Sequence, residues 1–146
     1  MISPALAIEL KEAGLLWRTK NYDFFVIPNH DLDDRVFVLA DMVAYTELVQ
    51  GWPAVAFHGA AEWALDYIFS DEIVWLPTEE QLREELATQW PEQADFGLTL
   101  ETTVGGYRCR IASGGTQQVF DGPTASEAYA RALLHALRQY RSLNRV

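Results

Sequence analysis

The sequence predicts an α+β fold, an antiparallel arrangement with packed helices that closes on a C-terminal β-β-β-α unit. Three observations carry this. Three short β-rich runs, 98–103, 107–112 and 116–120, follow one another with glycine pairs Gly105-Gly106 and Gly114-Gly115 at the joints, where a tight hairpin turn needs positive φ. An amphipathic stretch, 126–140, comes next with helical spacing of its apolar residues. Capping boxes, Thr78 with Gln81 and Thr124 with Glu127, mark two helix starts.

From the N-terminus, Ser3-Pro4 opens a short helix as cap and first-turn proline, and Gly14 closes it, with Ala5, Leu6, Ile8, Leu10 and Ala13 as its buried side. Residues 23–28 and 35–39 read as two apolar strands joined by a polar loop, an antiparallel hairpin. Residues 42–50 fit strand or helix equally, and Gly51-Trp52-Pro53 should break either. Ala60, Trp63, Ala64, Tyr67 and Ile68 carry the i, i+3, i+4, i+7, i+8 pattern of a helix. Residues 73–76 read as a short buried strand, and the helix capped by Thr78 should run to about Gln89. In the last helix Ala125, Ala128, Tyr129, Ala132, Leu133, Ala136, Leu137 and Tyr140 form one apolar stripe, which should seat Leu133 and Leu137 on the strand face bearing Tyr107, Cys109 and Ile111. Arg131, Arg138 and Arg141 fall off that stripe.

A chain of 146 residues, 49% hydrophobic, suits a single domain, 1–146. Its halves differ in charge. Residues 1–90 hold 16 acids and 5 bases, a balance of −11, whereas residues 91–146 hold 5 acids and 6 bases, a balance of +1. The joint falls at 90–95, between an acidic segment 1–90 and a β-β-β-α segment 96–141. A formal charge of −10 disfavours nucleic acid and anionic membrane. Nucleic-acid contact is left to Arg131, Arg138, Arg141 and Arg145 on the terminal helix. One cysteine, Cys109, excludes an internal disulfide. The first residues lack a basic signal-peptide start, and no apolar run reaches membrane-spanning length, so a soluble cytoplasmic protein is expected.

No motif specifies a catalytic chemistry. His30, Asp31, Asp33 and Asp34 concentrate potential cation ligands, but the loop lacks the glycine and distal glutamate of a calcium site, and a solvated turn is the simpler reading. His58, Glu62 and Asp66 share a helical face if all are helical, and would supply polar groups to a small-molecule pocket or an enzyme site. Strand alternation sets Cys109 on the face opposite Arg108 and Arg110, which makes it a buried thiol. Five tryptophans are many for this length. Trp63 and Trp75 sit in periodic segments and read as core, while Trp52 and Trp90 each precede a proline in a loop and are candidates for a binding surface.

The chain resembles a family of small bacterial proteins with an ISPALA start, a GWP…AFHG…EWALDYI middle, a WLPTEEQLR helix and an AYARALLHALR tail, some described as pilus-assembly proteins. The ATPase that such a description would imply needs a glycine loop with lysine, and Lys11 and Lys20 are the only lysines. No functional residue is carried over. Residues 96–141 also look like the strand-strand-strand-helix end of double-stranded-RNA-binding domains, without their lysine cluster at the helix start, and like the sheet-and-helix part of partial RNase-H-like antitoxins, without a following DNA-binding element. These readings converge on a non-catalytic interaction or adaptor module with no cofactor and no metal. Trp52, His58, Glu62, Asp66 and Trp90 are its ligand or partner residues, and the partner is another protein or a second copy.

Overall fold

The computed structural model describes residues 1–32, 35–40, 44–57, 67–90 and 95–143. They contain three α-helices and three small antiparallel sheets, the α+β class with a terminal β-β-β-α unit. The chain divides into two compact units, one made of residues 1–16 with 77–146 and the other of residues 17–76. This division does not follow the charge boundary near residue 90, because α1 (Pro4–Glu12) and α2 (Glu79–Ala87) both pack on α3 (Ala125–Leu143).

In the first unit, Ser3 caps α1 by accepting from the Leu6 N–H at 3.2 Å. The buried side is Leu6, Ala7 and Leu10, while Ala5 points to solvent. α2 carries the full capping box: Thr78 Oγ1 accepts from Gln81 N–H at 3.3 Å and Gln81 Oε1 accepts from Thr78 N–H at 2.9 Å. It ends at Ala87, two residues before the expected Gln89.

The sheet of this unit runs β7-β8-β9, with β7 at Phe96–Thr103, β8 at Gly106–Ser113 and β9 at Thr116–Gly122. Both registers are continuous, from Phe96↔Ser113 to Thr103↔Gly106 and from Tyr107↔Gly122 to Ser113↔Thr116. The first turn is Val104-Gly105, so Gly106 begins β8 and does not form part of the turn. Its reason for being glycine is different: a Cβ there would collide with the Gly122 carbonyl oxygen, and one on Gly122 would stand 2.6 Å from the Ala128 nitrogen. Two strands and the first turn of α3 thus meet where no side chain fits.

α3 is buried on more than the one stripe expected of it. Ala128, Tyr129, Ala130, Ala132, Leu133 and Leu134 are all buried, because the helix packs on β8 and β9 and also on α1 and α2. Glu127, Arg131 and Arg138 mark the remaining polar line, and Tyr140, expected on the stripe, is exposed. Thr124 Oγ1 accepts from the Glu127 N–H at 3.1 Å, the first half of a capping box. The Glu127 carboxylate turns instead to Arg131, at 3.5 Å.

The second unit holds two sheets, β2-β1-β6 and β3-β4-β5. β1 (Phe24–Val26) pairs antiparallel with β2 (Phe37–Val38), the expected hairpin with shorter strands, and on its other side with β6 (Val74–Leu76). Residues 44–49, ambiguous by pattern, form strand β3 (Ala44–Val49). The expected break after it is only a turn at Gln50-Gly51, both at positive φ, and Trp52 and Pro53 belong to β4 (Trp52–Phe57). A proline is tolerated there because β5 (Tyr67–Phe69) pairs only from Ala54 to Ala56, so no ladder bond needs the missing N–H. Tyr67 and Ile68, expected in a helix, are therefore strand residues; the rest of that expected helix lies outside the described residues.

Phe25, Ile27, Leu32, Leu39, Val55, Ile68 and Ile73 form the core of this unit, with Trp17 and Phe37 packed against it. Asp23, only 3% exposed, ties its entry loop together: its Oδ2 accepts from Trp17 Nε1 at 2.8 Å and from Lys20 N–H at 2.9 Å. Such charge-assisted bonds satisfy a carboxylate that would otherwise be costly to bury. Trp75, expected in the core, is half-buried.

Leu133 is fully buried on α3, in register to meet the face of Cys109 and Ile111, whereas Arg138 is 59% exposed and reaches Glu9 at 3.4 Å. Leu133→Ala should destabilise the protein by about 2–5 kcal/mol through lost transfer energy and a residual cavity. Arg138→Ala should stay within about 0.5–1 kcal/mol, the value of an exposed ion pair. Urea melts of both variants check the difference.

Candidate functional site

β3, β4 and β5 place their residues on two faces by alternation. Val55 and Ile68 face the core. The register Glu47↔Ala54↔Phe69 and Val49↔Trp52 puts Glu47, Trp52 and Phe69 on the opposite face, with Tyr67 at the next position. Trp52 is 68% exposed, and Tyr67 meets Phe69 edge-on at 5.5 Å between ring centroids. A concavity of about 520 Å³ opens beside them, lined by Gln50, Trp52, Pro53, Phe69, Ser70 and Asp71. Its walls combine two aromatic rings and a proline ring with an amide, a hydroxyl and a carboxylate. That composition suits binding of an amphipathic group.

Of the residues singled out in the sequence, Trp52 therefore lies in a cleft. Trp90 belongs to the other unit, where it stacks on Phe96, centroids 4.5 Å apart, and is half-buried. His58, Glu62 and Asp66 lie outside the described residues, as do Asp33 and Asp34. His30 Nε2 stands 3.4 Å from Glu72 Oε1, and Asp31 is exposed at positive φ. Among the described residues no group of three His, Cys, Asp or Glu side chains is placed to hold a metal ion. Phe69, Ser70 and Asp71 were missed because the helical apolar pattern from Ala60 to Ile68 hid strand β5, and Gln50 because it ends a segment that fitted strand or helix equally.

A second hollow, about 550 Å³, sits in the first unit where Gly106 and Gly122 approach, lined by residues 103–108, Asp121, Gly122, Pro123 and Arg131. Its cations are engaged. Arg108 donates to both Asp121 carboxylate oxygens, at 2.8 and 3.1 Å, and this bond holds the Asp121 carboxyl below its ordinary pKa. Arg131 donates to the Asp121 carbonyl at 2.6 Å. On the same open sheet face Arg110 reaches Glu101 at 2.8 Å. Arg108, Arg110, Arg131 and Arg138 thus each have a carboxylate partner.

Comparison with known proteins adds no assignment: no family model, no curated protein and no solved structure matches the chain. The fold and cleft define an α+β protein that presents an open aromatic hollow on a three-stranded sheet.

Cys109 is fully buried between the sheet and α3, and burial pushes its thiol up to about 11. With the folded pKa above the unfolded value, the thiolate is scarce in the native state at neutral pH. A thiol reagent at pH 8 should therefore label Cys109 only at the rate of unfolding, and urea should restore ordinary reactivity, as read by absorbance of the released chromophore.

Proposed function

We propose that this protein is a non-catalytic interaction module that takes up a short segment of a partner protein in the Trp52 cleft. The observation that carries the reading is the exposure of Trp52 beside Phe69 and Pro53, a large aromatic held on a rigid hairpin instead of in the core. Such aromatics supply contact area with little loss of side-chain freedom, and they dominate binding energy at protein interfaces. The formal charge of −10 and Glu47, exposed on the same sheet face, favour a partner segment with arginine or lysine next to an apolar residue. The cytoplasm is the proposed setting, since the single cysteine is a free, buried thiol. No helix among the described residues is long and apolar enough to cross a membrane.

Peptide arrays that pair an aromatic or aliphatic residue with a basic one test this directly. The protein should retain such peptides, with binding that weakens as salt is raised. Trp52→Ala should cost about 2 kcal/mol or more, roughly thirtyfold in Kd, by calorimetry, and Glu47→Gln should mainly reduce the salt dependence. Unchanged binding by the Trp52 variant sinks the cleft assignment.

A further inference from the structure

The two edges of the β7-β8-β9 sheet are unlike. In each hairpin the residues flanking the two-residue turn exchange both backbone hydrogen bonds, and the exchange then alternates along the ladder. Counting from Ser113↔Thr116, the residues of β9 that aim N–H and C=O away from β8 are Gln117, Val119 and Asp121. The Asp121 carbonyl is capped by the Arg131 guanidinium, in agreement with this count. Counting from Thr103↔Gly106, the outward residues of β7 are Phe96, Leu98, Leu100 and Thr102. No described residue hydrogen-bonds their outward groups.

Apart from the charge of Glu101, β7 carries none of the features that normally blunt an edge strand. It is eight residues long, has no proline or lysine, and its register with β8 runs without a bulge. Thr99, Glu101 and Thr102 are exposed, and Phe96, Leu98 and Leu100 are only half-buried, because α3 packs chiefly on β8 and β9.

We propose that β7 is a homodimer edge: two copies pair β7 to β7 antiparallel about a twofold axis at Thr99, making a continuous six-stranded sheet. Outward groups meet outward groups only when the paired residue numbers share parity. Centring on Thr99 sets Leu98 against Leu100 of the second copy and Leu100 against its Leu98, so four half-buried leucines close over one another on one face. On the other face Glu101 lies opposite Gly97, which has no side chain, and each Glu101 keeps its Arg110. No like charges oppose. Centring one residue earlier would put Asp95 opposite Glu101, and centring one later would trade a leucine partner for Thr102. The strand is thus complementary in charge and in shape to a second copy of itself. Residues 91–146, balanced at 5 acids and 6 bases, do not oppose the approach.

Gly97 gives the test its handle, since a Cβ there meets only Ala112, at 3.9 Å or beyond, and φ is unexceptional. The full-length protein should sediment as a dimer. Gly97→Glu, which faces two new carboxylates across the axis with Glu101, should weaken dimerisation roughly tenfold, whereas Gly97→Lys should preserve or tighten it. Thr99→Cys should give a disulfide-linked dimer on oxidation by diamide, and Thr103→Cys, whose counterpart is Asp95, should not. Wild-type monomer at all concentrations overturns the proposal. So does an equal response to glutamate and lysine at Gly97, or equal cross-linking at Thr103 and Thr99.

Discussion

Burial of α3 is the constraint to which the rest of its unit answers. A helix coated by a sheet on one side and by two helices on the other cannot be built from large residues throughout, and Ala128, Ala130 and Ala132 are the consequence. Small side chains let the neighbours come close, and at its first turn even Cβ is too much: Gly122 is glycine because the Ala128 nitrogen lies where its side chain would be. The energetic weight falls on the few bulky positions, Leu133, Leu134 and Tyr129, which fill what the alanines leave open. Glu127, Arg131 and Arg138 share one line along the helix, so the two arginines act locally, one on the β9 edge and one on α1.

The second unit is organised around a different device. Its strands are short, and its core depends on rings as much as on aliphatics: Phe25 stacks on Phe37 at 5.4 Å and meets Trp17 at 5.7 Å. Asp23 completes the arrangement by holding the Trp17 indole from the polar side. In the other sheet Val55 and Ile68 are sealed inward, while Trp52, at the hairpin end, is left outward.

Where local chemistry decides, the sequence was legible. Ser3, Thr78 and the Gly114-Gly115 turn are placed by capping and turn geometry that involve only near neighbours, and they stand where the residues put them, whereas the first terminal turn falls one residue early, at Val104-Gly105. Cys109 followed from alternation alone. The larger misreadings share a cause: they needed information from distant residues. Tyr67 and Ile68 fit a helical pattern, but pairing with Ala56 and Val55 makes them strand, and that pairing is invisible in a ten-residue window. Trp52-Pro53 looked like a breaker because proline is rarely seen in a ladder, and its tolerance depends on where β5 begins. The extra burial of α3, at Ala130 and Leu134 among others, comes with its packing on α1 and α2, which lie far from it along the chain. For the cleft, Trp52 was readable as an exposed aromatic, but Phe69 and Asp71 reach it only through that same long-range pairing.

The interrupted path of the first unit carries a cost in time. Glu9 and Arg138 touch across a separation of 129 residues, and all of residues 17–76 are synthesised between the helices that must pack. At ribosomal speeds of roughly 5–20 residues per second, α1 waits on the order of ten seconds before α3 exists. During that interval Leu6 and Leu10 have no native surface to cover them. The nascent chain is then an exposed amphipathic helix followed by an aromatic-rich segment free to fold first, and chaperone engagement or misassociation would be concentrated in this window.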